Sequence, residues 1–282
     1  MRAFTFGLAM LLAVFTTAAA AQSKRQPSTC LAVAQNIHDG ELPVHLASFS
    51  PRLVATDLAS SEVAISFQGH STYLIETASG VAIATDFAGW LRDPVVPTVV
   101  TMNQAHASHY TTNPDPRIAH VLRGWGEGGN IAEHHLTVED VLIRNVTTDI
   151  LRFSAMPDGN SIFIFEVAGL CIGHLGHLHH KLSEDHLSKI GRLDVVMVPV
   201  DGGLTLTHFS VRELLDRLRS SVILPMHVRS AGALPGFLQA LGDGITIKQH
   251  KDDKLVLSLR NLPKNPTVIL LPGVSRYPTY DE

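Results

Sequence analysis

Cysteine, aromatic residues and charge are all scarce in this chain. Only Cys30 and Cys171 occur in 282 residues, which excludes a disulfide-framed scaffold. A single disulfide stays possible in an oxidising compartment. Cys171 lies inside an apolar run, however, where a small buried thiol is the simpler expectation. Charged residues make up 17% and aromatics 6% of the chain, with a formal net charge of −4. No basic run with interleaved aromatics is present, so nothing points to nucleic acid or an acidic membrane surface as a partner.

Long hydrophobic runs are missing too, apart from the first 21 residues. There Arg2 supplies a positive start, Phe4 to Phe15 an apolar stretch, and Ala19-Ala20-Ala21 a small-residue cleavage site before Gln22. That pattern is a signal peptide, too short for a membrane anchor. The expected product is exported, periplasmic if the source is bacterial, and free of the membrane after cleavage. Pro27, where a lipoprotein signal would carry an aliphatic residue, speaks against Cys30 as a lipid anchor.

What remains is an ordinary globular composition, 45% hydrophobic, with one unusual feature: 16 histidines, 13 of them after position 100. Residues 22–60 mix polar residues, prolines and short apolar pieces, and read as an N-terminal arm with a weak helix near 31–37. The domain proper is expected over 61–282. Glu62–Gln68, Thr72–Glu76 and Val81–Asp86 are β-rich runs separated by turn residues, hence an antiparallel meander. Thr98–Thr101 is another short strand, and 102–133 reads as a long loop, a feature usually tied to function.

Two apolar runs, Ile162–Val167 and Leu170–Ile172, flank Ala168-Gly169 and predict a β-hairpin. Ser183 is placed to cap a short helix to Ile190. Asp194–Val200 and Ser221–Met226 are apolar enough to be buried strands. His208–Ser220 reads as a helix with its apolar face at Phe209, Leu214, Leu215 and Leu218, followed by a smaller helix at 231–241. A meander-rich first half and strand–helix alternation in the second predict two sheets with helices outside.

The chemistry gathers just past these strands. His174, His177, His179 and His180 follow one strand, His106 and His109 another, and His227 a third. Imidazoles from several strand ends meeting in one crevice can hold a transition metal or move protons. A solvated His-rich loop is the plain alternative.

In order, GHSTYLIET (69–77), GVAIATD (80–86), SHY (108–110), IGHLGHLHHKL (172–182), DVVMVPVDGGLT (194–205) and LPMH (224–227) resemble the metallo-β-lactamase fold superfamily. The similarity is greatest to its ascorbate-6-phosphate lactonase-like hydrolases. The resemblance implies an α/β fold, a four-layer αββα sandwich with the site at one edge between the sheets. It also implies departures. The H-x-H-x-D-H loop of the family falls on His109 to Pro114, where only the first ligand survives. A further family histidine falls near Thr148-Asp149, and the bridging aspartate falls on His177.

The metal set expected from this match is His106, His109, His177 and His227, holding one transition ion: zinc first, with iron, manganese or copper as alternatives. Asp86, His174 and His180 are expected to support those ligands from behind, and His180 to cap the Ser183 helix. Asp201 is expected at the mouth of the site, as a general base or as a partner orienting a histidine. His70, in a turn after Gly69, is expected to be structural. The implied activity is metal-dependent hydrolysis of a small ester, lactone or phosphoester. A non-catalytic, metal- or ligand-binding descendant of the fold is the competing reading. The partner is a small-molecule substrate, and no motif bears on oligomeric state.

Overall fold

In the computed structural model, residues 26–31, 56–126, 130–151 and 155–275 are described. The signal peptide, most of the N-terminal arm and its weak helix lie outside them. Fourteen strands and three helices occur among the described residues. In chain order β1 (Val63–Gly69), β2 (Thr72–Thr77) and β3 (Ala82–Ala84) form the expected meander. β4 (Val99–Met102) and β5 (His120–Arg123) follow in parallel. β6 (His135–Val138), β7 (Val141–Leu151), β8 (Ala155–Val167) and β9 (Leu170–His174) are antiparallel. After them come α1 (Glu184–Ile190), β10 (Val195–Pro199), α2 (His208–Leu218), β11 (Val222–Met226), α3 (Ala233–Leu241), β12 (Thr246–Gln249), β13 (Lys254–Leu257) and β14 (Thr267–Leu270).

One sheet has the order β13-β1-β2-β3-β4-β5 and the other β12-β14-β11-β10-β9-β8-β7-β6. The two mixed sheets, with few helices, make the expected α/β sandwich. Alternation along the strands assigns the faces: Tyr73 and Ile75 of β2 join the main core, whereas Leu74 joins a second cluster with Ala84, Val100 and Met102. That second face is covered by irregular chain, with Phe87, Leu91, Val95, Val96 and Ile118 packed on it. β10 and β11 are buried throughout, as parallel strands covered on both faces should be.

Local signals formed as read. Ala168 (φ 54°) and Gly169 (φ 75°) make a two-residue turn that pairs Val167 with Leu170. Two positive φ values match the twist of a hairpin. Ser183 caps α1 by accepting from the His186 N–H, and its own N–H donates back to His186 Nδ1, so the capping partner is His186 and not His180.

Other expectations are corrected. The loop expected over 102–133 contains β5. β14 went unread because a short apolar run is placed only by its parallel neighbours β11 and β12. Phe209 stands 68% exposed while Val211 takes the buried position on α2. Cys171 is not a thiol: it is joined to Cys30, with Cα atoms 5.9 Å apart. Beside that bond, Ser28 and Thr29 donate to Glu166, whose carboxylate also accepts from Arg144. Arg144 spends its other donors on the carbonyls of Lys189 and Ile190 at the end of α1. The segment 26–31 is thereby riveted to the second sheet.

Candidate metal centre

Turns at one edge of the sandwich bring five histidines together. His70 occupies the turn between β1 and β2, His106 and His109 follow β4, His177 follows β9, and His227 follows β11. Backbone contacts hold these turns in place. The N–H of His227 donates to the carbonyl of His70 at 2.7 Å, and the Tyr73 hydroxyl donates to the carbonyl of Pro225 at 2.8 Å. Three non-glycine residues here have positive φ: His70 (49°), Asp86 (43°) and His227 (58°). Such backbone is costly and persists where surrounding contacts over-determine it, as they commonly do at functional sites.

Nitrogens of His70, His106, His109 and His227 lie within 4.8 Å of one another. The ring of His177 stands beside them, its centroid 4.9 Å from that of His227, 5.2 Å from His109 and 5.3 Å from His106. Two of these imidazoles are backed by carboxylates. His109 Nδ1 is 2.6 Å from Asp86 Oδ2, and His227 Nδ1 is 2.7 Å from Asp201 Oδ2. With the Nδ1 protons committed to the carboxylates, each ring turns Nε2 into the cluster.

The free lone pairs test whether an ion fits. Nε2 of His70, Nε2 of His109 and both ring nitrogens of His177 are buried with no hydrogen-bond partner among the described residues, an arrangement that is expensive unless something else satisfies them. Two nitrogens bound to a tetrahedral zinc at ~2.0–2.1 Å stand about 3.3 Å apart. His106 Nε2 and His227 Nε2 are separated by 3.3 Å. An N–H···N bond would account for that pair alone, but not for the unpartnered nitrogens around it. An all-imidazole set suits zinc, copper, iron or nickel rather than magnesium or calcium.

Electrostatics disfavour protonation of four of these rings. Burial, followed by the neighbouring imidazoles, lowers His70 and His177 to about 2 each and His106 to about 3. His227 is also lowered: burial outweighs the pull of Asp201. For Asp86 burial pushes upward, but His109, His174 and the Asn103 amide carry it down to about 2. Near neutral pH His70, His106, His177 and His227 are therefore unprotonated, beside two carboxylate anions.

The expected site residues can now be placed. His106, His109 and His227 lie together, joined by His70, and His177 flanks the group. His174 supports it, donating from Nε2 to the carbonyl of Ser71 while Nδ1 accepts from the Gly176 N–H. Asp86 holds His109. His180 does not belong here: its Nε2 accepts from the Asp149 N–H, and its ring neighbours are His179 and His186. His70 sits in the expected turn, and because that turn faces the end of β11 its ring also joins the group.

Asp201 has two expected roles, and geometry favours one. Oδ1 accepts from the N–H groups of Gly203, Leu204 and Thr205, and Oδ2 from the Thr205 hydroxyl and His227. Burial alone would push this carboxyl up, yet those donors hold it well below the usual carboxylate range. An oxygen pair so occupied orients His227 and is unsuited to taking up a proton.

Sequence reasoning missed the amides behind the cluster. Asn103 donates to Asp86 and to the carbonyl of Ser161, and accepts from the Ser161 N–H. Asn160 accepts from the His177 N–H and donates to Thr148. A Cβ on Gly176 (φ 60°) would lie 2.4–2.5 Å from these two amides, so glycine is required for His177 to reach the site. Two asparagines on β-rich segments carry no local mark of this role.

The family model described as "Beta-lactamase superfamily domain" matches residues 64–227. In structure the chain is similar to a metallo-beta-lactamase superfamily protein from Thermotoga maritima that carries the provisional name of a Zn-dependent hydrolase. The two share 26% identity at a TM-score of 0.53, covering 74% of this chain and 98% of that one. It is more distantly similar to Igni18, a metallo hydrolase from Ignicoccus hospitalis, with 16% identity, a TM-score of 0.48, and coverage of 70% of this chain and 99% of that one. No curated protein matches the chain, and neither structural relative is named for the ascorbate-6-phosphate lactonase branch.

Proposed function

Because the chain belongs to the β-lactamase superfamily domain family, we propose that it is an exported metal-dependent hydrolase of a small ester, lactone or phosphoester. His70, His106, His109 and His227 would hold one transition ion, zinc being the best match to the donor set, with His177 against them. The observation that carries this reading is four imidazoles with ring nitrogens within 4.8 Å of one another, of which Nε2 of His70 and Nε2 of His109 are buried and find no hydrogen-bond partner among the described residues.

When bound, such an ion polarises a carbonyl or phosphoryl oxygen and lowers the pKa of water. The protein's own part is positional. Asp86 and Asp201 keep the Nδ1 protons of His109 and His227, so both rings offer Nε2 in a fixed direction. Burial holds His70, His106 and His177 unprotonated at neutral pH. Asn103 and Asn160 brace the turns behind them. Export is supported by the Cys30–Cys171 disulfide, since such bonds persist in oxidising compartments.

Elemental analysis of untagged protein is the test. The wild type is expected to retain about one ion per chain, as one shared site requires. His109→Ala and His227→Ala are expected to lose it, together with turnover of a panel of esters, lactones and phosphoesters. Protein that takes up no first-row metal sinks the reading, and metal uptake without any turnover favours the binding descendant.

A further inference from the structure

The imidazoles of the cluster are not held alike. Asp86 and Asp201 face Nδ1 of His109 and His227 at 2.6 and 2.7 Å. An ionised carboxylate can only accept, so each of those ring protons has one place to go. His106 is backed differently. Its Nδ1 lies 2.7 Å from Ser108 Oγ, and a hydroxyl can both donate and accept. His106 is also only half-buried, whereas His109 and His227 are buried.

Two proton arrangements satisfy this side of the site. In the first, His106 carries its proton on Nε2 and donates it to His227 Nε2 across 3.3 Å, while Nδ1 accepts from the Ser108 hydroxyl. The reverse bond between the rings is closed. A proton on His227 Nε2 would leave a bare Nδ1 lone pair against the Asp201 oxygen. In the second arrangement the His106 proton sits on Nδ1 and is donated to Ser108. Both Nε2 atoms are then free to bind an ion. Only a group able to reverse its role serves both arrangements, and Ser108 is such a group.

We propose that Ser108 is a positioning residue of the metal centre: by accepting the Nδ1 proton it frees Nε2 of His106 as a ligand, and by donating instead it lets that ring bond His227. This rests on the reading of the histidine cluster as a metal site. His106 is the ligand that changes tautomer as the ion binds and leaves, while Asp86 and Asp201 keep His109 and His227 ready in both states. One proton leaves Nε2 for solvent, one from solvent arrives at Nδ1, and the ring stays neutral. A bond to a neutral hydroxyl is about half as strong as one to a carboxylate anion. His106 is therefore less firmly set than His109 and His227, and the ion is released through it.

The experiment titrates zinc into the full chain against a chromophoric chelator, comparing wild type with Ser108→Ala and Ser108→Thr. The alanine variant is expected to bind zinc about tenfold more weakly, the usual cost of losing a ligand's hydrogen-bond partner. Ser108→Thr keeps the hydroxyl and should match wild type, and all three should show the same circular dichroism. Nitrogen-15 spectra of histidine-labelled wild type give a readout independent of affinity, with His106 assigned by its loss in His106→Gln. Its proton should sit on Nε2 in zinc-free protein and on Nδ1 in zinc-loaded protein, whereas His109 and His227 should carry theirs on Nδ1 in both. Equal zinc affinity in wild type and Ser108→Ala, or a His106 proton found on Nδ1 in zinc-free protein, overturns the assignment of Ser108 and leaves the metal site standing. Wild type that takes up no zinc overturns the metal reading and this assignment with it, an outcome told apart from the others by the wild-type stoichiometry.

Discussion

Removing the Cys30–Cys171 bond should lower stability by an amount the chain itself sets. The bond spans 141 residues, so in the unfolded state it closes a loop of half the chain. Loop-closure entropy grows with the logarithm of loop length, and for a loop this long it amounts to about 5 kcal/mol at 25 °C. The native side of the balance should change little. Segment 26–31 keeps its bonds from Ser28 and Thr29 to Glu166 and from the Arg192 N–H to the carbonyl of Cys30. A Cys30→Ala/Cys171→Ala variant avoids burying a new hydroxyl in the core. For a domain of this size, each kcal/mol moves the midpoint roughly 2–4 °C, so a fall of about 10–20 °C is expected. Thermal unfolding followed by circular dichroism measures it, with dithiothreitol-treated wild type as the control for the reduced state. A shift below about 4 °C would mean that the unfolded chain gains little freedom on reduction, and the loop-entropy reasoning would fail.

Three further outcomes follow from the site and its supports. Asp201→Asn should weaken zinc binding roughly 10–100-fold, because the amide no longer fixes the His227 proton on Nδ1. Competition with a chromophoric chelator reads this, and unchanged affinity would refute the orienting role. Metal-free protein should lose stability as pH falls below 6.5, the ordinary histidine value from which burial drags His70 and His177 down to about 2. The unfolded chain binds those protons and the folded chain does not, so each of the two buried rings costs up to about 1.4 kcal/mol per pH unit below that point. Urea midpoints at pH 7.5 and 5.5 should differ accordingly, and equal midpoints would contradict a neutral cluster. Arg144→Met should cost about 3–5 kcal/mol by stranding the buried Glu166 carboxylate. Adding Glu166→Leu should recover part of that loss in a denaturant titration.

Much of this architecture was legible because its causes are local. The Ala168-Gly169 hairpin depends on two adjacent residues accepting positive φ, and the α1 start on Ser183 and the three residues after it. The apolar strands β10 and β11 announce their burial by composition. Each strand end followed by a histidine could be found by reading forward, which is why His106, His109, His177 and His227 were named from sequence. Phe209 misled for a related reason. Helical spacing gives the stripe, but the neighbour that covers it decides where the stripe stops, and here Val211 is covered and Phe209 is not.

Taken alone, the sequence determined the sandwich class, the alternation of its strands, the abundance of imidazole at their ends and the shortage of cysteine ligands. Only tertiary structure decided the membership of the site. His70 joins His227 through a backbone bond across 157 positions, His180 is turned toward Asp149, and Asp201 is saturated by donors in its own loop and by His227. Periodicity and turn chemistry act over a few residues, whereas a shared coordination volume depends on how two sheets pack and where their edges meet.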